Sequence, residues 1–364
     1  MKVLHIFNSL MPSGAETMWV AAAPILANQG IETHVVATHP EVGPYAEVME
    51  SVGFRVWHIS HHSRRLWDWR YFTDMLRMMR REKFDTVQIH PEAWRLANVV
   101  IARLAGVSRV STTIHSCFHY VGLKRFQRSL IVRFIRLLGA RIVACGESVQ
   151  VAERAYGTRS ILIWNWYDKA RFAADSRRGY LETRRELGIP ESAKVLACVG
   201  NCSSIKNHIL LLKALALLPT NCWLLHVGAE DEEHTHEKKL SVALGVWDRC
   251  RFLGKRNDVA RLLSASDVFV MPSLHEGLGI ACIEALAMGL PAVVSDVEGL
   301  RDLAKYIPIC SKASLEENIF AEKIREVFLL SGNDLADRKA QSRKIIDEMF
   351  DLKCNVAHYI NLWK

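Results

Sequence analysis

Short apolar runs with strand character alternate with longer stretches of helical spacing, and the alternation runs twice along the chain. KVLHIF, ETHVVAT, RVWHIS, TVQIH, RVSTTIH and RIVACG have the length and β-branched content of strands. Between them, TMWVAAAPILANQG, PYAEVMESVG, YFTDMLRMMRRE, WRLANVVIARLAG and FQRSLIVRFIRLLG carry apolar residues at helical spacing, several closed by glycine. Such a chain folds as βα units around a parallel sheet, with ligands at the carboxyl ends of the strands.

The rhythm breaks after ILIWNWYD. Residues 169–192 are polar, with Arg177, Arg178, Arg184 and Arg185, and read as a connecting loop with a short helix. The alternation then returns: KVLACVG, NHILLLKALALLP, CWLLHVG, a helix over 233–246, CRFLG, DVARLLSAS, VFVMPS, IACIEALAMG and PAVVSD. Two further helical segments follow, at about 315–331 and 335–363. At 364 residues the chain exceeds what one ordinary core serves. The expected class is α/β, with two Rossmann-like domains facing across a cleft, 1–165 and 166–344.

No window approaches the roughly 18 consecutive apolar residues of a membrane-spanning helix. MKVLHIFNSLMPSG lacks the long apolar core of a signal peptide, so the expected location is cytoplasmic. Nine scattered cysteines without a CxxC pair fit reduced thiols in that compartment. The net charge of +8 is unevenly placed: residues 1–165 carry 20 Lys and Arg against 12 Asp and Glu, whereas 166–364 carry 27 of each. A basic first half suits an anionic partner, either a membrane surface or a phosphorylated substrate. No nucleic-acid module accompanies the charge, and no nucleic-acid partner is expected. Within LKRFQRSLIVRFIRLL, Leu123, Phe126, Leu130, Ile131, Phe134 and Leu138 share a helical face flanked by Lys124, Arg125, Arg128, Arg133 and Arg136. This stretch, 123–138, and the arginine- and tryptophan-bearing stretch 64–83 suit peripheral contact with the inner face of an anionic membrane. A helix packed on its own sheet would explain the apolar face equally well.

HEGLGIACIEALAMGLP, residues 275–291, joins a strand to a helix through a glycine-rich loop. Gly277 and Gly279, either side of Leu278, permit close backbone approach, and the helix start offers N–H groups to an anion such as a diphosphate. Glu284, a turn or so inside the helix, could accept two hydrogen bonds from a ribose diol. Glu276, before the turn, could reach hydroxyls of a group carried on the second phosphate. A capping role for Glu276 and a solvated Glu284 form the ordinary alternative.

The E-x7-E spacing in HEGLGIACIEALAMGLPAVVSD resembles the donor-site signature of the retaining glycosyltransferases of family 4, which have the GT-B fold. LLHVGAEDEE resembles that family's strand ending in a glycine-acid turn. DRCRFLGKRNDVARLLSASDVFVMPS looks like the segment that wraps the nucleotide base. ILIWNWYD resembles the motif at the domain junction, with Trp166 where glycine is usual. PSGAE is similar to the glycine-rich first turn, with Ser13 in place of a first glycine and Gly14 retained. The resemblance implies that a C-terminal helix at about 345–364 crosses back to the first domain. In CVGNCSSIKNH it implies a diphosphate clamp with Gly200 and Lys206 in place, but Asn201 where the family carries arginine; Gly254, Lys255 and Arg256 follow in the base-wrapping segment, and Lys255 or Arg256 could supply the missing cation.

His90 and His115 both end strands, and His115, in Thr113-Ile114-His115, matches a family histidine that contacts the donor sugar. His115 and His119 have i, i+4 spacing but lack a third and fourth ligand, so no metal site is expected there. His90 reads as an ordinary strand-end residue, and His58, His61, His62, His234 and His236 as loop histidines. Nothing resembles a metal-binding Asp-x-Asp. The implied activity is retaining, metal-independent transfer of a hexose or N-acetylhexosamine to a glycan or lipid-linked acceptor in surface polysaccharide synthesis. The donor would be a nucleotide sugar, UDP favoured over GDP, without a cofactor. The implied catalytic residues are His115, Glu276 and Lys206. A nucleotide-sugar epimerase or a non-catalytic nucleotide-sugar-binding protein remains an alternative. An NAD-dependent oxidoreductase would need a GxGxxG that PSGAET does not supply.

Overall fold

The computed structural model describes residues 1–61, 68–117, 119–172, 180–229 and 236–364. They form two compact units, Met1–Trp166 with Leu352–Lys364, and Tyr167–Asp351.

The first unit holds strands β1 (Lys2–Phe7), β2 (Glu32–Ala37), β3 (Arg55–His58), β4 (Thr86–Ile89), β5 (Arg109–Ile114), β6 (Arg141–Ala144) and β7 (Ile161–Leu162). Its helices are α1 (Gly14–Asn28), α2 (Ala46–Ser51), α3 (Trp69–Glu82), α4 (Arg95–Leu104), α5 (Gly122–Leu137) and α6 (Glu147–Arg154). The strands pair in parallel in the order β3-β2-β1-β4-β5-β6-β7. Val3, Leu4 and Ile6 on β1 are wholly buried on consecutive faces, as in a sheet covered by helices on both sides. The order reverses between β1 and β4, the point where sheets of this kind open toward a ligand.

The second unit repeats the scheme. Its strands are β8 (Lys194–Val199), β9 (Cys222–Val227), β10 (Cys250–Phe252), β11 (Val268–Met271), β12 (Ala292–Ser295) and β13 (Cys310–Ala313), ordered β10-β9-β8-β11-β12-β13. Its helices are α7 (Tyr180–Glu186), α8 (His208–Leu217), α9 (His236–Ala243), α10 (Val259–Ser264), α11 (Ile280–Ala287), α12 (Leu300–Tyr306), α13 (Glu317–Leu329) and α14 (Gly332–Met349). Arg184 on α7 is fully buried; its guanidinium donates to the carbonyls of Ala265 and Ala193 and to Asp267, and Asp267 also accepts from the Val195 amide. The arginine assigned from sequence to a connecting segment is thus a core pin. Arg177 and Arg178 lie outside the described residues.

Among the described residues, four elements were not expected from the sequence: α6, the two-residue β7, α12 and β13. α6 buries only Val149 and Glu153, too few apolar positions to show a period. α12 and β13 (CSKA) lie in a stretch without alternation, and β13 is held by its parallel pairing with β12. The single segment expected over 335–363 is two helices. α14 ends at Met349, Phe350 is buried beyond it, and α15 (Leu352–Trp363) belongs to the first unit, so residues 345–351 stay with the second.

α15 docks through aromatic side chains. Trp19 stacks on Trp363 at 5.6 Å and meets Trp166 edge-on at 5.0 Å, while Tyr359 bonds Thr113 at 2.9 Å. Trp166 is fully buried and donates to the Met18 carbonyl at 2.8 Å. The side chain standing where the family carries glycine therefore fills the seat of α15.

α5 is turned outward. It buries Arg128, Val132 and Ile135, whereas Leu123, Phe126, Phe134 and Leu137 are 70%, 59%, 54% and 80% exposed. The helix packed on its own sheet is therefore not what covers this apolar face. Arg128 turns inward because Glu92 and the buried Glu153 receive its guanidinium. Of 64–83, residues 64–67 lie outside the described set. The rest forms α3, whose N-cap Asp68 accepts from the Arg70 and Tyr71 amides, with Trp69 71% exposed.

Removal of the Trp363 ring should empty the centre of this aromatic seat. We expect Trp363→Ala to lose about 3–5 kcal/mol of stability, read as a lower urea midpoint of the transition that reports the first unit.

Candidate nucleotide-sugar site

At the carboxyl ends of β8 and β11 two loops are tied together. The Leu274 amide donates to the Ile205 carbonyl at 2.7 Å, and Asn207 Nδ2 donates to the Pro272 carbonyl at 3.3 Å. Lys206 then lies against Glu276, with its ammonium donating to Glu276 Oε1, and Ser273 Oγ donates to the same oxygen at 2.9 Å. A lysine and a glutamate 70 residues apart in sequence thus meet in one half-buried pair.

Two glycines make this possible. A Cβ on Gly228 would stand 2.0 Å from the Gly200 carbonyl oxygen, so the end of β9 approaches the loop after β8 only as bare backbone. Gly279 takes φ +78° at the N-cap of α11, and a Cβ there would meet Leu300 Cδ2 at 2.8 Å. Gly277 is also in close contact: a Cβ on Gly299 would fall 2.5 Å from its carbonyl oxygen. Leu278 sends its side chain into the core, 1% exposed, so only its backbone is left for a ligand.

Glu284 lies on α11, half-buried. Burial pushes its carboxyl up to about 8, Arg171 pulls it down and Asp168 adds to the rise. Arg171 and Asp168 had no part in the site read from sequence. Asp168 closes ILIWNWYD, and Arg171 lies three residues on, in a polar stretch read only as a connection.

The other residues of the expected site are placed as follows. Asn201 is exposed, and its Oδ1 accepts from the Ala229 amide at 2.8 Å, so the amide closes the loop and leaves Nδ2 as a neutral donor. Gly254 accepts through its carbonyl from the Gly228 amide at 3.0 Å. Lys255 is exposed, while Arg256 is held by both oxygens of Asp258 at 2.8 and 2.7 Å. Of the two cations proposed to replace the arginine, only Lys255 is uncommitted to that carboxylate. In the first unit, Gly14 opens α1, where the Ser13 hydroxyl bonds Glu16, and burial pushes the Glu16 carboxyl up to about 7.

His115 follows β5, half-buried, and burial with the nearby Arg95 pushes its imidazole down to about 4. His90 is not an isolated strand-end residue: its Nδ1 lies 3.0 Å from His115 Nε2 and its Nε2 lies 3.2 Å from His5 Nδ1. The sequence held the signal, a histidine in each of three strands that pair side by side, but showed no pairing. His58 closes β3 and His236 opens α9, so neither is a loop residue. His62 and His234 lie outside the described residues.

Among the described residues, one trio could hold a metal: Cys202, His208 and His226, all buried, behind the Gly200 loop. Cys202 Sγ and His226 Nε2 are 3.9 Å apart, wider than the about 3.5 Å that a shared tetrahedral zinc would set. His226 Nε2 instead lies 3.0 Å from the Gly200 carbonyl and braces the loop. No helix of the described residues is long and apolar enough to cross a membrane.

A family model described as glycosyl transferases group 1 matches residues 180–344, and one described as glycosyltransferase family 4 matches residues 12–171. Between them they span both units, and the chain belongs to these glycosyltransferases. Among its relatives is the UDP-Gal:alpha-D-GlcNAc-diphosphoundecaprenol alpha-1,3-galactosyltransferase of Escherichia coli, 26% identical over 84% of this chain and 81% of the relative. Another is the putative glycosyltransferase EpsF of Bacillus subtilis, 27% identical over 81% and 79%. Anabaena HepE, solved with UDP and glucose, superposes over 99% of both chains with a TM-score of 0.85 at 18% identity. At that identity the likeness shows the fold, GT-B.

The raised carboxyl of Glu284 has a consequence for stability that needs no ligand. A carboxyl raised from 4.5 to about 8 on folding stabilises most below pH 4.5, and that contribution declines as pH rises toward 8. Glu284→Gln cannot ionise. Its melting temperature should therefore gain on the wild type steadily between pH 5 and 8 and hold the gain above; parallel pH curves would show that Glu284 does not titrate in this way.

Proposed function

We propose that this glycosyltransferase moves a hexose or N-acetylhexosamine, with retention of configuration and without an essential metal, from a UDP-sugar to a lipid-linked or glycan acceptor in surface polysaccharide synthesis. The observation that carries this reading is the Lys206–Glu276 pair at the glycine-bounded start of α11. It sets a cation beside free backbone donors, where a diphosphate leaves, and a carboxylate beside the group that the diphosphate carries. The ammonium and the helix start stabilise the departing charge. Glu284 accepts from the ribose diol, and Glu276 and His115 orient the transferred sugar. The leaving phosphate takes the acceptor's proton on the same face of the sugar, so no separate strong base is called for.

UDP is preferred because HepE was solved with UDP and the E. coli relative is named for a UDP-galactose donor. The lipid-linked acceptor rests on the diphosphoundecaprenol in that relative's name. Contact with an anionic membrane is supported by the outward α5, whose exposed Leu123, Phe126, Phe134 and Leu137 lie among Lys124, Arg125, Arg133 and Arg136.

UDP, GDP and NAD at equal concentration test the donor. We expect UDP at 100 times its dissociation constant to stabilise the wild type by about 2.7 kcal/mol, seen as a melting shift, and Glu284→Ala to lose most of it. A response to NAD alone would remove the donor reading, and no response to any nucleotide would favour a degenerate binding protein with Asn201 in place of the clamp arginine. For the membrane, vesicles containing anionic phosphatidylglycerol should pull down the wild type in a salt-sensitive manner. The double variant Phe126→Ser, Phe134→Ser should remain in the supernatant; equal sedimentation of the two would remove α5 from the membrane.

A further inference from the structure

The first unit carries a line of three imidazoles of which the donor chemistry uses only the last. His5 sits within β1, His90 directly after β4 and His115 directly after β5, and these strands are neighbours in the sheet. His5 Nδ1 is 3.2 Å from His90 Nε2, and His90 Nδ1 is 3.0 Å from His115 Nε2. The rings are clamped. His5 and His90 are nearly parallel, Phe7 stacks on His90 with centroids 4.2 Å apart, and Trp19 packs on His5 at 4.3 Å. His5 is 0% and His90 7% exposed.

We propose that His5 and His90 are positioning residues that hold His115 in its Nδ1–H tautomer, so that His115 offers a hydrogen-bond donor to an oxygen of the transferred sugar. The second half of this statement rests on the reading of His115 as a sugar contact; the first half does not.

Each neutral imidazole has one N–H and one bare nitrogen. Burial holds all three rings below their ordinary range, so they stay neutral near pH 7. Two contacts among three such rings allow two arrangements in which both bonds form. In one, every ring carries its proton on Nδ1, His5 Nε2 is bare, and His115 Nδ1–H remains for a ligand. In the other, every proton is on Nε2, and His5 places an N–H where it must go unanswered. His5 Nε2 is buried and has no hydrogen-bond partner among the described residues; the rings of Trp19, Phe54 and Trp363 surround His5. Buried N–H groups without an acceptor are rare, which selects the first arrangement. Clamping of His5 and His90 then passes that choice to His115, because turning His90 would break both bonds and turning His5 would break the first.

The test is the tautomer of His115 in ligand-free protein labelled with 15N-histidine, read from long-range 1H–15N correlations. We expect one Nδ1–H form in the wild type, mixed tautomers in His90→Leu, and a return to Nδ1–H in His90→Gln, whose amide can still donate to His115 Nε2. His5→Phe keeps the aromatic packing and leaves His90 Nε2 against a ring that cannot accept, so it should keep the Nδ1–H form, whereas His5→Asn, whose Oδ1 can accept from a protonated His90 Nε2, should mix the tautomers. By titration calorimetry His90→Leu should keep UDP affinity within about twofold and weaken UDP-glucose about fivefold, the worth of one hydrogen bond. A wild-type His115 protonated on Nε2 would overturn the proposal, as would an unmixed Nδ1–H form in both His90→Leu and His5→Asn. An unchanged UDP-glucose affinity beside mixed tautomers would instead remove His115 from the sugar, leaving its positioning by His90 standing.

Discussion

Gly228 brings the end of β9 against the Gly200 carbonyl, at a place where a Cβ would stand 2.0 Å from the oxygen. The loop after β8 takes its course from that approach. His226, two residues earlier on β9, braces the same carbonyl, and the Ala229 amide closes on Asn201 from the other side. Only with the loop so seated do Ile205 and Asn207 meet the backbone after β11 and bring Lys206 to Glu276. In a half-buried ion pair such as this one, loss of water around both charges offsets much of their attraction, so it is weak evidence for stability. On the proposed donor reading its value is positional, since an arriving dianion would find a cation already aimed and would share it with Glu276.

The first unit solves a different electrostatic problem. Glu153 is buried and needs a cation, and Arg128 turns inward from α5 to meet it together with Glu92. An unpaired buried carboxylate would cost several kcal/mol, so the arginine belongs inside even on an amphipathic helix. The large apolar residues of α5 are left outward among the remaining cations. Helix orientation here goes with the buried Arg128–Glu153 pair, against the usual rule that the apolar stripe faces the core.

Strands and helices that bury a continuous apolar face were legible in the chain. β1, β2, β8 and β9 are rich in apolar residues and buried along most of their length because both their faces are covered, and α1 and α8 show their burial in their apolar content. Elements that owe their place to a neighbour were not. β13 exists through β12, and α6 has two buried side chains. Within the candidate site, Lys206, Glu276 and Glu284 could be named from motif spacing, whereas Arg171 carries no local pattern, and the parts played by Asp168 and Ser273, which close ILIWNWYD and VFVMPS, become visible only by contact. Trp166 stood out as a departure from a family glycine, and its place against Trp19 and Tyr359 explains it.

By itself the sequence determined the class of fold, two alternating α/β halves, and the loop chemistry that glycine and acid spacing impose. Those are local properties, since periodicity and backbone freedom act within a few residues. The tertiary structure decided which distant groups touch. It paired Lys206 with Glu276, turned α5 outward and set His5, His90 and His115 in line. Each of these depends on strand order and helix rotation, which are settled by packing between segments far apart in the chain, and no local pattern encodes them.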